Sequence, residues 1–166
     1  MPKIEPSVEK SLNDHIALRT KDEAIFQSIR SYLMTAGLTK FSKYFKKIAE
    51  QEICIKDKIS AFILEHSGSL DVQEVPAAAS QKGKNIVDTC KKCVGTYKDL
   101  VVSEGASVNT IYMGALEAED ITTCKWLEDI VMEQLKMEAD ATELFAEINF
   151  TKTEMDVWFI DQHLTY

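Results

Sequence analysis

One glutamate stands in the middle of an otherwise apolar helical stripe. In the stretch FSKYFKKIAEQEICIKDKISAFILEH, residues 41–66, large apolar side chains recur every three or four positions, as on one face of an α-helix. The stripe consists of Phe41, Phe45, Ile48, Glu52, Ile55, Ile59 and Phe62. Because an unpaired carboxylate is costly to bury, Glu52 requires a metal ion, a positively charged partner or a proton.

Other predicted helices also carry polar side chains near the middle of their apolar stripes. The first helix contributes Arg19 and Glu23, the third Tyr97 and Glu104, and the fourth Gln134. Facing helices can bring such groups to one level of a bundle. Di-iron carboxylate proteins build their metal centres in this way, from glutamates and Glu-x-x-His pairs.

The sequence lacks the histidine of such a pair. The residue three positions after Glu52 is Ile55, and none of the chain's three histidines follows a glutamate at that spacing. Arg19 carries a permanent positive charge and would repel a metal cation. We therefore favour an ion pair between Arg19 and Glu52, with hydrogen bonds from Tyr97 and Gln134.

The alternative is a metal site built from carboxylates. Glu23, Glu52 and Glu104, with Gln134 beside them, would suit a hard or borderline cation but would hold it weakly without imidazole.

The composition restricts the classes of partner. The chain has 166 residues, 27 acidic and 19 basic, with a net charge of −8. This charge disfavours nucleic acid and anionic membranes, both of which reward basic patches. The first residues lack the apolar core of a signal peptide, and the four cysteines are expected to be reduced thiols. Both features favour a cytoplasmic protein.

Long stretches without glycine or proline predict helices that position these side chains. We predict one all-α domain over residues 1–166, with helices at about 8–36, 39–65, 86–119, 121–149 and 155–164. Asp120 is the predicted cap of the fourth helix. Residues 69–85, which include Pro76, form a long polar connection. Two hairpins joined by one long crossover predict an antiparallel four-helix bundle with a short fifth helix.

Four fragments, in order, resemble the non-haem ferritin family. They are VEKSLNDHIAL (8–18), GLTKFSKYFKKIAEQE (37–52), SVNTIYMGALEAEDITTCKWLEDIVMEQ (107–134) and VWFIDQHL (157–164). The resemblance implies a ferritin-like bundle and a subunit of a hollow shell of twenty-four chains that stores ferric iron, without haem. It also implies either a homo-oligomer or co-assembly with an active ferritin subunit.

The resemblance further implies which positions formed a ferroxidase centre. The glutamate of the family's first helix falls on Arg19, and the histidine of its Glu-x-x-His pair falls on Ile55. The third-helix glutamate falls near Tyr97. Glu52 and Gln134 keep the family's residues. These replacements imply that ferroxidase activity is impaired or lost. The alternatives are a structural assembly protein with no iron role and an active ferroxidase that uses carboxylates alone.

Two further features have simple interpretations. Cys90 and Cys93 form a single C-x-x-C on the third helix, and we expect them to be ordinary, partly buried thiols. In ferritins, the segment that contains Lys125 and Glu128 lines pores through which iron enters. Glu128 would attract cations and Lys125 would oppose them, although both also suit a solvated helix face.

Overall fold

The described part of the chain contains five helices. The computed structural model describes residues 3–74 and 81–166. The helices are α1 (Pro6–Thr35), α2 (Thr39–Glu65), α3 (Ile86–Glu117), α4 (Ile121–Asn149) and α5 (Glu154–His163). The predicted all-α bundle is confirmed, and each helix ends within two residues of its predicted boundary. Residues 75–80 of the predicted crossover, including Pro76, lie outside the described residues.

Local interactions explain where the helices begin and end. Asn85 and Asp120 cap α3 and α4 by accepting from the backbone N–H groups three residues on, so the predicted cap at Asp120 is confirmed. Gly37 ends α1 with a φ of 83°, a left-handed conformation that favours glycine. Thr153 and Asp156 form a capping box at α5.

The helices pack as two hairpins. α1 lies along α2, α3 lies along α4, and α1 also packs against α3. The contacts from His15 to Ser107 and from Arg19 to Glu104 show that α1 and α3 are antiparallel. α5 rests on α2 and α3. None of the described helices is long and apolar enough to cross a membrane.

The core between the helices has an aromatic layer. Tyr97 meets Phe26 and Phe45 edge to face, each at 5.7 Å between ring centroids. Tyr44 packs against the same tyrosine at 6.1 Å. Such edge-on contacts are favourable for aromatic rings, and Phe26 and Tyr97 place this layer in the middle part of α1 and α3.

Candidate functional site

A buried arginine lies at the centre of the bundle. The Arg19 side chain is fully buried, and its Nη1 donates to Glu52 Oε2 at 2.9 Å and to Glu104 Oε2 at 3.4 Å. Its Nη2 donates to Gln134 Oε1 at 2.7 Å. One guanidinium therefore joins side chains from all four long helices. The predicted contact between Arg19 and Glu52 is present. We call Arg19, His15, Asp22, Glu52, Glu104 and Gln134 the Arg19 cluster.

His15 is the hydrogen-bond partner of the third guanidinium nitrogen of Arg19. Arg19 Nε donates to His15 Nε2 at 2.7 Å, so this ring nitrogen must be unprotonated. His15 Nδ1 therefore carries the proton and donates it to Ser107 Oγ at 2.8 Å. Burial, together with the charge of Arg19, lowers the pKa of His15 to about 3. The imidazole is thus neutral at ordinary pH and acts as an acceptor for Arg19.

The carboxyl groups of the cluster outnumber its positive charge. Asp22, Glu52 and Glu104 are all fully buried. Burial raises the pKa of Asp22 and, against the opposing effect of Arg19, that of Glu52. Burial and the neighbouring Glu52 raise the pKa of Glu104 well above its usual value. The cluster therefore favours bound protons on its carboxyl groups.

Several carboxyl oxygens receive no hydrogen bond from a nitrogen or hydroxyl donor in the described part of the chain. These atoms are both oxygens of Asp22, Oε1 of Glu52 and Oε1 of Glu104. Asp22 and Glu52 each lie within hydrogen-bonding reach of Glu104 through their carboxyl groups. Buried polar atoms are ordinarily paired with protein groups or water. Even so, within residues 3–74 and 81–166, no three His, Cys, Asp or Glu side chains are arranged to hold a metal ion.

Glu23 does not join the cluster, contrary to the sequence prediction. Its carboxylate pairs with Lys56 across α1 and α2, and both side chains are partly exposed. Asp22 is buried in its place. The inward positions of α1 alternate in steps of three and four residues, which places residue 22, and not residue 23, one turn after Arg19.

Tyr97 is also placed differently from the prediction. Its ring belongs to the aromatic layer, and Glu104, two turns further along α3, is the residue that meets Arg19 and Glu52. The apolar partners Phe26 and Phe45 hold Tyr97 away from the guanidinium. The position that we assigned to Tyr97 beside Arg19 is therefore occupied by Glu104.

Of the remaining predicted site residues, Ile55 and Gln134 are buried, whereas Lys125 and Glu128 are exposed. Ile55 is fully buried among apolar neighbours, and Gln134 Nε2 donates to the backbone oxygen of Val101 at 2.6 Å. The latter bond orients the amide so that its oxygen faces Arg19. Lys125 and Glu128 are exposed near the start of α4, so they do not contribute to the buried cluster.

The two cysteines of the C-x-x-C are free and buried. Burial raises the pKa of Cys90 and that of Cys93 to about 12. Thiols in this state are poor nucleophiles because the thiolate is the reactive form. Their burial exceeds the partial burial that the sequence predicted.

Sequence reasoning missed His15 and Asp22. A strict alternation of three and four residues on α1 would have found them. The buried series it describes is Leu12, His15, Arg19, Asp22, Phe26, Ile29 and Leu33. The neighbouring Ile16 is the more obvious inward residue in the sequence, because an apolar residue is more often buried than an imidazole. Because the buried residues His15 and Asp22 are polar, the spacing of apolar residues alone did not reveal the correct register of α1.

Comparisons with known proteins place this bundle in a family. A model of the ferritin-like domain matches residues 9–151. A humanized archaeal ferritin is 20% identical, with a TM-score of 0.88 and coverage of 97% of this chain and 95% of that one. The open pore ferritin of Archaeoglobus fulgidus is 19% identical, with a TM-score of 0.88 and coverage of 97% of both chains.

A ferritin from the green alga Ulva pertusa is 14% identical, with a TM-score of 0.91 and coverage of 97% of this chain and 85% of that one. A search of curated proteins finds no match. At these identities the solved structures establish the fold, and the domain model covers most of the sequence. The chain belongs to the ferritin family.

Proposed function

We propose that this chain is an iron-storage subunit of a closed ferritin shell whose ferroxidase centre is impaired or lost. The observation that carries the proposal is the position of Arg19, whose guanidinium lies between Glu52, Glu104 and Gln134. In an active centre that space holds iron as the substrate. In this chain the positively charged side chain of Arg19 occupies that space.

The donor set of the Arg19 cluster does not fit a dinuclear iron site. Ile55 offers no imidazole, and the Glu23 carboxylate is paired with Lys56. A ferrous ion entering between Glu52 and Glu104 would have to displace a guanidinium that makes four hydrogen bonds within the cluster. The like charges of the iron and the guanidinium would oppose that exchange at short range.

The iron that we propose is stored cargo, not a resident cofactor. The family's shell implies twenty-four subunits, either identical or mixed with an active ferritin subunit in the cytoplasm. The net charge of −8 per chain would favour cations at the surfaces of such a shell. We propose no haem. Glu128 on α4 is the exposed carboxylate that we assign to a pore, with Lys125 opposing it.

Two alternatives each have an observation in their favour. The guanidinium balances buried carboxylates without any metal, which suits an assembly protein with no iron role. The four carboxyl oxygens that receive no hydrogen bond from a nitrogen or hydroxyl donor of the described residues would suit an oxidase that uses carboxylates alone, with Glu52 and Glu104 as ligands and Gln134 beside them.

Iron loading separates the storage role from the assembly role. The purified particle is incubated with ferrous iron in air, and size-exclusion chromatography then measures the iron that elutes with the protein. We expect iron to co-elute with the particle. If the particle elutes without iron under conditions in which an active ferritin loads, the storage proposal is wrong.

A restoration experiment tests the role assigned to Arg19. Arg19→Glu combined with Ile55→His supplies two of the family residues that this chain lacks, and we expect it to gain saturable oxidation of ferrous iron. Ile55→His alone keeps the guanidinium and is the matched control, with no expected gain. Equal activity in the two variants would show that Arg19 is not the obstacle.

A further inference from the structure

A small cleft opens between α3 and α4 beside the Arg19 cluster. Its polar wall comes from Asn109, Gln134 and Glu138, and Gly105 contributes bare backbone. The volume is about 60 Å³. A water molecule needs at least about 10–15 Å³ of such space and two to four polar partners, so the cleft suits a few waters.

The floor of the cleft is a residue of the cluster itself. Gln134 lines the cleft and is only 2% exposed, and its Oε1 accepts the hydrogen bond from Arg19 Nη2. Glu104 directly precedes Gly105 in the chain. A single side chain therefore separates the cleft from the guanidinium and its carboxylates.

The side chain of Glu138 crosses from α4 to Gly105 on α3 at the cleft. A methyl group on Gly105 would overlap Glu138 Oε1, so the tip of the Glu138 side chain lies against the bare backbone of α3 at this position. Glu138 follows Gln134 by one helical turn on α4 and is partly exposed. Its side chain thus lies above the floor residue, between the cleft and solvent.

The buried carboxyl oxygens of the Arg19 cluster indicate a role for the cleft. Four of them accept no hydrogen bond from a nitrogen or hydroxyl group of the described residues, and those that a neighbouring protonated carboxyl group does not satisfy would bind water. Three other clefts on the molecule are lined by no member of the Arg19 cluster. We propose that the cleft at Gly105 is the water entrance to the Arg19 cluster and that Glu138 is the side chain that covers it.

Hydrogen exchange at Arg19 tests the entrance directly. The chain has two arginines, Arg19 and Arg30, so arginine labelled with ¹⁵N gives two Nε–H signals. Magic-angle-spinning NMR of the assembled protein measures their exchange with deuterated water. Glu138→Ala removes the cover, and we expect Arg19 to exchange faster by on the order of tenfold or more, because local opening controls such rates.

Matched variants separate an entrance from a general loosening. Asp140→Ala removes one negative charge from an exposed position two residues further along α4, and Arg19 should then exchange as in the unmodified protein. Glu138→Gln keeps the covering shape and should remain near the unmodified rate. Arg30 is the internal reference and should not change in any variant.

Three results would overturn the proposal. They are equal Arg19 exchange in Glu138→Ala and Asp140→Ala, a parallel rise at Arg30, and a rise in Glu138→Gln as large as in Glu138→Ala. The experiment uses no iron, so its outcome is independent of the proposed storage role.

Discussion

Arg19 is a charged side chain that is fully buried in the bundle. Every nitrogen of its guanidinium donates to a partner: His15, Glu52, Glu104 or Gln134. A buried charge is tolerated only when its hydrogen bonds and its counter-charge are both supplied. At the scale of the residue, the site is therefore an ion-pair network in which each member depends on the arginine.

Arg19→Leu should be strongly destabilising. It leaves Glu52 and Glu104 buried without their cation, at a cost on the order of 3–5 kcal/mol in the free energy of unfolding. Adding Glu52→Gln removes one of the stranded charges and should recover part of the loss. Denaturant unfolding measures both variants. Arg30→Leu is the control, since Arg30 is only partly buried and bonds Gln27. If Arg19→Leu costs no more than this control, the network is not as described.

The neutral His15 makes stability fall on acidification. Its pKa is about 3 in the folded state, below its ordinary value of 6.5, so the unfolded chain binds a proton that the folded chain refuses between these values. The raised pKa values of Glu52 and Glu104 act in the opposite direction, because the folded state then holds protons more tightly. The contribution of His15 to the pH dependence of stability must therefore be separated from theirs by substituting His15.

His15→Gln provides that separation, because glutamine keeps a hydrogen-bonding side chain without titrating. We expect the free energy of unfolding of the unmodified protein to fall relative to His15→Gln from pH 6.5 downward, by up to about 1.4 kcal/mol per pH unit. Urea titrations from neutral pH into the acidic range measure the difference. A difference that does not vary with pH would contradict the assignment.

The site was only partly predictable at this scale. The permanent charge of Arg19 and the apolar stripe around Glu52 identified the central pair from the sequence. The choice between Asp22 and Glu23, adjacent acidic residues on α1, depended on the exact helical register. On α3, the sequence named both Tyr97 and Glu104, and the structure places Glu104 beside Arg19 while Tyr97 packs against Phe26.

At the scale of the elements, α2 begins without a cap of its own. Leu38 offers no side-chain acceptor, and the free N–H of Phe41 is instead taken by Asp161 Oδ1 of α5 at 2.8 Å. Lys40 Nζ donates to the backbone oxygen of Gln162 at 2.5 Å. One buried aspartate thus caps α2 and docks α5 at the same time.

Asp161→Ala should release α5 from the bundle. Loss of a cap typically costs about 0.5–2 kcal/mol, and the unpaired N–H of Phe41 would be left behind. We expect faster proteolysis within residues 154–163 and a lower melting temperature. Asp161→Asn keeps an oxygen acceptor and should lie between the two proteins. Proteolysis of α5 at the unmodified rate in Asp161→Ala would show that other contacts hold the helix.

The helices themselves were well determined by the sequence. Apolar spacing and the Asp120 cap placed α2 and α4 at their observed limits. The capping of α2 by Asp161 was not predictable, because it joins residues 120 positions apart in the chain. Such a contact follows from packing and leaves no local pattern.

At the scale of the whole molecule, several large apolar side chains face outward on and beside α5. They are Phe150, Met155, Trp158 and Phe159, each more than half exposed in the single chain. A group of large exposed apolar side chains on one short segment usually marks a protein interface. We predict a closed particle of about 450 kDa for twenty-four chains of 18.7 kDa. Sedimentation analysis at micromolar concentration tests this, and a monomer alone would contradict it.

We propose that Arg19 takes the place that iron would occupy in an active oxidation centre. The most direct measurement is oxygen consumption by the assembled protein after addition of ferrous iron, compared with buffer and with Glu52→Ala. We predict a rate no faster than that of buffer, unchanged in Glu52→Ala. Rapid, saturable oxidation that Glu52→Ala abolishes would contradict the account and would assign the buried carboxylates to catalysis.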